Sequence, residues 1–433
     1  MSALAKLVLF WGGKVSGSDV AYSKNVEELL EWGAEIYIGE SEKAVLSADL
    51  VVYSGAIKKD NPEFLIAING GKKMISREYF LYEISCEFYK TIAISGTHGK
   101  TTVCAMLSKV LEENDSSFTA HVGGHTEKGN LIFKGKDIFL TEACEYNRSF
   151  LALRPDVGVI LNIEMDHPDT YKNIDELRSA FLSFSYGIKR DGILVTNADS
   201  ENYHIIKSTH KDMFTYAINN TADLMATNII NYGNGNYGFQ IVQKGYPNCD
   251  IKLGVAGFHN VYNALATFAC GVVLGIERRV IQRGIERFRG VRGRFEYLGN
   301  RQGACVYRDY AHHPTEIKAS LRTARERANG GRLITLFQPH TLSRTEALFE
   351  DFTSAFEGVD KLYFLKEYVA RKESGGKNAF DLYQAMRERG VEARYYATQL
   401  ELVADVLADL QKGDLIYILG AGDIAEIGSL LLK

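Results

Sequence analysis

An α/β chain of three units is the fold the sequence predicts, on three observations. Short apolar segments alternate with amphipathic helical ones along most of the chain, the rhythm of doubly wound sheets with a strand before each helix. A length of 433 residues exceeds one ordinary hydrophobic core and implies two to four domains at roughly 100 to 200 residues each. The strand pattern also restarts twice, so the expected units are residues 1–88, 89–295 and 296–433.

The first unit opens in a helix, because Leu4, Leu7, Val8 and Trp11 fall at helical spacing. Residues 13–18 read as a strand ending at Asp19, 25–32 as a helix, and 34–39 and 49–54 as further strands. The strand that should precede the first helix is absent. The second unit starts near Tyr89 with a strand over 91–94, followed by a glycine-rich turn and a helix striped by Val103, Met106, Leu107, Val110 and Leu111. Strands over 138–141 and 157–163 follow, each ending in polar residues. Residues 219–252, rich in Asn, Gly and Tyr, read as a β-meander before a helix over 259–274. The third unit begins near Phe295, with strands over 304–308, 332–337, 361–365 and 415–419 between charged helices. The arginines of 322–332 read as the solvated face of one such helix.

Composition excludes several function classes. With 46% hydrophobic and 24% charged residues and only six prolines, every segment reads as folded. Fifty Lys and Arg against 54 Asp and Glu give a net charge of -4, with no basic footprint for nucleic acid or an anionic membrane. Any anion must be held locally. The six cysteines lack a C-x-x-C pair and suit reduced thiols rather than disulfides or zinc. The apolar run at 7–11 is too short to span a membrane and lacks a cleavage pattern, so a cytoplasmic protein is expected.

The run Gly96-Thr-His-Gly-Lys-Thr-Thr102 lies between strand and helix, where backbone N–H groups and a helix N-terminus converge on one anion. It is a shortened phosphate loop, since Ile94 stands where the usual spacing has its first glycine. Lys100, read as an exposed loop side chain, would place a point charge on the terminal phosphates, and the Thr101 hydroxyl would reach magnesium. Glu142 and Glu145 follow one strand end and Asn162, Asp166 and His167 another. If these strands run parallel to the one before the loop, all of them emerge at the sheet's carboxyl edge. A nucleoside triphosphate needs magnesium held by a carboxylate, and Glu142 is the leading one. His121 and His125 have i,i+4 spacing, but Gly123-Gly124 between them argues against a helical metal pair. His312, His313 and His340 lie beside strand ends of the third unit. Gly420-Ala-Gly-Asp423 lacks the third glycine of a dinucleotide loop.

These residues, with Asn162-Ile-Glu-Met-Asp-His167, Gly257-Phe-His-Asn-Val-Tyr-Asn263, Gly293-Arg-Phe295, Asp309-Tyr-Ala-His-His-Pro314, Phe337-Gln-Pro-His340 and Ser343-Arg-Thr345, occur in an order that resembles the Mur ligases of peptidoglycan synthesis. His98 in the loop is similar to the alanine-adding branch or the related branch that attaches a recycled tripeptide to the same sugar nucleotide. The resemblance implies three domains: a Rossmann-like UDP-binding domain, a P-loop-type ATPase domain and a Rossmann-like C-terminal domain that closes over both. It implies ATP and Mg2+ as cofactors, and UDP-N-acetylmuramate and L-alanine as substrates. By the same resemblance, residues 96–102 bind ATP, with Lys100 on the phosphates and Thr101, Glu142 and His167 near metal. Asn260 and Asn263 meet adenine, while Arg294 and Asp309 hold phosphate and ribose. His340 and Arg344 face the muramyl and amino-acid substrates, and Ser18, Asp19, Ser54 and Asn162 contact substrate. A non-catalytic nucleotide-binding relative is the alternative from another class.

Two features depart from the family pattern. Residues 178–181 read Arg-Ser-Ala-Phe where several branches carry a carbamylated lysine, so no carbamate is expected, and Thr341 stands where some members have arginine. The first strand and its G-x-G-x-x-G turn, whose backbone meets a pyrophosphate, are also missing from residues 1–88. This reads as a late start. It leads one to expect an empty edge slot beside the strand ending at Asp19, exposure of Val15, and poor binding of UDP-N-acetylmuramate.

Overall fold

The computed structural model describes residues 1–209, 212–368 and 375–433. Its opening helix, Ser2–Phe10, buries Leu4 and Leu7 against Leu81, Ile84 and Phe88 and against Phe139 of the central sheet. The helix therefore fastens the first unit to the second. Strands Ser16–Asp19 and Glu35–Ile38 pair in parallel, and Leu50–Tyr53 pairs with Lys73–Ser76. The single doubly wound sheet expected here is instead two separate two-stranded sheets. Ser16–Asp19 has a ladder on one side only, so the unpaired flank is present. Val15 is nevertheless half-buried, because its carbonyl accepts from Glu35 N at 2.9 Å and the partner strand covers it. Just beyond the strand, Val20 (92% exposed) and Tyr22 (63%) are exposed.

A ten-stranded sheet forms the middle of the molecule. At its centre, Lys90–Ser95 lies between Ile138–Glu142 and Val157–Ile160, parallel to both, with Ile94 opposite Glu142 and Val159. The polar residues that follow these three strands therefore emerge at one carboxyl edge, as the sequence requires of a ligand site. Val157–Ile160 pairs in parallel with Ile193–Asn197, which pairs with Met213–Ala217. The meander, strands Leu224–Asn231, Asn236–Val242 and Cys249–Ala256, extends this sheet rather than standing apart from it.

The helix after the glycine turn, Lys100–Glu113, buries its whole predicted stripe. Helices His259–Val273 and Arg278–Arg287 share its apolar cluster. Close approach is set by Gly284, where a Cβ would lie 2.6 Å from Val110 Cα.

Six strands make the third unit's sheet. Glu296–Arg301 is antiparallel to Ala304–Asp309, and the remaining four run parallel: Leu415–Leu419, Leu333–Phe337, Lys361–Leu365 and Ala393–Tyr396. Both faces carry apolar clusters, as a parallel sheet requires. The arginine run belongs to helix Pro314–Ala328 and the turn after it. Arg325 pairs with Asp360 at 2.6 Å and Arg332 with Asp414 at 2.7 Å, so these charges are locally balanced. At the joint, Tyr310 N donates to Gly293 O at 2.7 Å and Phe295 N to Asp309 at 3.1 Å.

Because Gly284 allows the loop helix to sit tightly, Gly284→Ala should destabilise the protein by about 1 to 3 kcal/mol through overpacking. Urea unfolding measures this; an unchanged midpoint at unchanged slope would contradict the close helix contact.

Candidate active site

The loop is shaped by two glycines with positive φ, Gly96 (136°) and Gly99 (88°). A Cβ on Gly96 would lie 2.9 Å from Leu161 Cβ, and one on Gly99 2.7 Å from Asn263 Oδ1, so no other residue fits either position. Asn162 clamps the loop from the neighbouring strand end: its Oδ1 accepts from His98 N at 2.8 Å and its Nδ2 donates to His98 O at 3.1 Å. These two bonds brace the phosphate loop, and each end of the amide keeps capacity for one more partner. Thr97 adds a second clamp through its hydroxyl, which accepts from Glu164 N and donates to Glu164 O.

Lys100 begins the helix and curls back onto its own loop, donating to Gly96 O and to Thr97 O at 3.1 Å. Its ammonium also lies 2.9 Å from Glu145, whose side chain is 1% exposed. Burial works against the charge, but the Glu145 carboxylate more than reverses this and holds the lysine above its ordinary pKa. The expectation of an exposed Lys100 is therefore corrected: side-chain exposure is 13%. On the other side of the loop, Thr101 Oγ1 donates to Glu142 at 3.0 Å, and Gly123 N donates to the same carboxylate. A Cβ on Gly123 would reach 2.7 Å from Glu142, and one on Gly124 2.9 Å from Thr101, so the paired glycines on strand Phe118–Thr126 make room for these two groups. Burial pushes the Glu142 carboxyl up. A hydroxyl and a carboxylate side by side at a phosphate loop are oxygen donors of the kind magnesium takes.

His167 has a left-handed φ of 53°, and its Nε2 sits 3.6 Å from Glu145 and 3.7 Å from Asp166. Burial keeps this imidazole below its usual pKa despite both carboxylates. Arg344, expected to face the substrates, pairs with Asp166 at 2.8 Å, both side chains being under a tenth exposed. Burial opposes ionisation of Asp166, and Arg344 outweighs it, so the carboxyl stays well below the usual range. The pair ties the third unit to the second. His340 O accepts from Arg344, and the His340 ring lies between those of His312 (5.9 Å) and Tyr368 (5.7 Å).

A cleft of about 930 Å³ opens between the second and third units, lined by His98, Gly99, Thr101, Thr102, Asn162 and, across from them, Arg294. Asn260 and Asn263 also line it, linked to each other at 2.9 Å. Asp309 reaches the cleft, but its carboxylate already accepts from Phe295 N, Ala311 N, Ser320 and Tyr417. Three of these donors meet Oδ2 and one meets Oδ1, so the carboxylate braces the joint while Oδ1 keeps acceptor capacity. Ser18, Asp19 and Ser54 do not line the cleft. Ser18 donates to Glu63 at 2.7 Å, Asp19 accepts from Ala21 N, and Ser54 O accepts from Ile57 N, all inside the first unit.

Three acids that bear on the site escaped the sequence-based assignment. Glu145 stands beside the chosen Glu142, Glu164 lies within the Asn162–His167 motif, and Glu316 follows Pro314 in the third turn position of a helix N-terminus, where a capping acid is ordinary. His98, Glu164 and His313 bring ligand atoms within 4.8 Å of one another, the one such group among the described residues. His313 is committed to structure, however: Nε2 meets Met165 O at 3.0 Å and Nδ1 accepts from Thr315 N.

Comparison with known proteins settles the family. The chain matches the Mur ligase middle domain over residues 94–271, the Mur ligase glutamate ligase domain over 293–422, and the Mur ligase family catalytic domain over 1–89. The chain belongs to the Mur ligase family. Among Mur ligases it is 41% identical to a UDP-N-acetylmuramate–L-alanine ligase of Clostridium beijerinckii, across all of this chain and 95% of the relative. A protein of the same name from Caldicellulosiruptor saccharolyticus is 39% identical, across all of this chain and 96% of the relative. The crystal structure of the UDP-N-acetylmuramate–alanine ligase of Thermotoga maritima superposes with a TM-score of 0.85 at 26% identity, covering all of this chain and 95% of the other. A murein peptide ligase of Psychrobacter arcticus shares the Mur ligase fold at a TM-score of 0.74 and 21% identity, again over all of this chain and 95% of its own.

Lys100→Ala should lower turnover by about a hundredfold to a thousandfold, the usual loss for one transition-state contact. It should also destabilise the fold by roughly 3 to 5 kcal/mol, because Glu145 is left buried and unpaired. Lys100→Ala/Glu145→Gln should then recover the melting temperature without recovering turnover. Recovery of both would show that Lys100 serves the fold alone.

Proposed function

We infer that this chain is an ATP-dependent ligase that joins L-alanine to the lactyl carboxylate of UDP-N-acetylmuramate, a step of peptidoglycan synthesis. The observation that carries the reading is identity near 40%, over the full chain, to relatives bearing that name. Nucleotide use is consistent with the loop's geometry and with a Thermotoga maritima relative of 15% identity whose crystal structure holds ADP. Among the described residues no helix is long and apolar enough to cross a membrane.

A carboxylate is a poor acylating agent at neutral pH, so the reaction needs two steps. The lactyl carboxylate oxygen attacks the γ-phosphorus of ATP and ADP leaves; the alanine amine then attacks the acyl carbon, loses a proton, and expels phosphate. Each step builds negative charge on phosphoryl or tetrahedral oxygens. This chain answers with cations that are already fixed and dry, where they act most strongly. Lys100 exchanges the carbonyls of Gly96 and Thr97 for phosphate oxygens, and the glycine-rich backbone admits the triphosphate. Asn260 and Asn263, which line the cleft beside Gly99, suit a base edge. Arg294, held over the Tyr310 ring at 5.0 Å, approaches the phosphates from the joint with the third unit. Thr101 and Glu142 would hold Mg2+, which when bound neutralises phosphate charge. The Arg344–Asp166 pair keeps the third unit closed over the loop and excludes water that would hydrolyse an acyl phosphate.

An ADP-release assay with UDP-N-acetylmuramate, ATP, Mg2+ and a panel of amine donors tests the reading. L-Alanine should support turnover well above the other amino acids and above L-Ala-D-Glu-diamino acid tripeptide. Preference for the tripeptide would move the protein to the recycling branch, and no donor-dependent release would make it a non-catalytic binder.

A further inference from the structure

Glu316 lies at the meeting point of three segments that are distant in sequence. Its Oε1 is 3.2 Å from Nδ1 of His98 on the phosphate loop and 4.0 Å from the guanidinium of Arg294 at the joint. Its Oε2 accepts from His312 N and lies 3.6 Å from the His312 ring. The side chain is 16% exposed, at the start of helix Pro314–Ala328. It therefore reaches from the third unit into the second. Around it, Thr315 donates to Glu164 at 2.6 Å and His313 meets Met165 O, so the same helix start grips the Asn162–His167 segment that clamps the loop.

We propose that Glu316 is a positioning residue of the ligase reaction, holding His98 and Arg294 in place so that closure of the third unit and presentation of both side chains to the triphosphate are a single event. The proposal rests on the ligase reading above. The groups facing His98 are Glu316, Glu164 at 3.5 Å and the His313 ring at 4.6 Å; those facing Glu316 are His98, Arg294 and His312. Burial alone would strip the proton from His98, but the two glutamates outweigh it and lift the imidazole to about 10. His312 is neutral, its pKa pushed down by burial and Arg344 to about 3, so the carboxylate's charge is directed to His98 and Arg294. One carboxylate lost should bring His98 back toward the neutral range. His98 would then lose its proton as pH rises through that range, and the loop one of its cations.

Glu316→Gln keeps the shape and removes the charge. Its kcat should fall by about tenfold to a hundredfold, the scale of a misplaced catalytic group. Its kcat/KM for ATP should gain a new decline as pH rises between 6 and 9, where the wild type lacks one from this group. His98→Gln should abolish that inflection, and Glu316→Gln/His98→Gln should be slower than His98→Gln, through Arg294, but with a total loss smaller than the product of the two single losses. If Glu316→Gln does not melt cooperatively, Glu164→Gln removes the other half of the charge on His98, and the same inflection is expected. A wild-type pH profile in whichever variant folds, or multiplicative losses in the double variant, would overturn the proposal. Binding of a fluorescent ATP analogue across the same pH range, without sugar nucleotide or amino acid, reports the coupling separately. A failed substrate assignment would leave that inflection intact; its absence while the ligase assay succeeds sinks the proposal alone.

Discussion

Everything around the phosphate loop depends on one constraint: cations meant for a triphosphate must be buried before the triphosphate arrives. A lone buried charge is expensive, and it survives only if paired. Here each cation has its carboxylate. Lys100 is held by Glu145, His98 by Glu164 and Glu316, and Arg344 by Asp166. The arrangement keeps the site charged yet locally neutral, and an entering polyphosphate exchanges one set of anions for another in surroundings where water does not screen the exchange.

That constraint explains why the units meet where they do. Carboxylates Glu164 and Asp166 project from the segment after strand Val157–Ile160, while Glu316 and Arg344 come from helix starts of the third unit. Glu316 meets His98 and Arg344 meets Asp166, so domain closure and charge balance are made by the same contacts. The glycines obey the same demand. Gly96 and Gly99 let the backbone lie against Leu161 and Asn263, and Gly123 and Gly124 open space for Glu142 and Thr101, so the loop's shape is set by what must fit beside it.

What the sequence made legible was local and periodic. The strand, glycine turn and apolar stripe of the loop helix follow from spacing alone, and the parallel neighbours then place Glu142 and His167 at one edge. Roles that depend on tertiary contacts were not legible. The Asp166 carboxylate beside Arg344 and the four donors around Asp309 are contacts that no spacing of residues announces. Glu316 carries an ordinary capping signal that conceals its contact with His98. In the first unit, the strand rhythm marked the strands at 16–19, 35–38 and 50–53 but neither Lys73–Ser76 nor the three helices between 42 and 86, and not the pairing, since register and neighbour choice arise from tertiary contacts that a rhythm does not encode.

The central claim is that the loop's cations are stored on carboxylates and handed to a nucleotide. A crystal structure with a non-hydrolysable ATP analogue and Mg2+ tests it most directly. The account predicts the β- and γ-phosphates on the Gly96–Thr102 backbone, the Lys100 ammonium on phosphate oxygen, and the metal on Thr101 and Glu142. A nucleotide bound with its phosphates away from this loop, while Lys100 stays on Glu145, would contradict it.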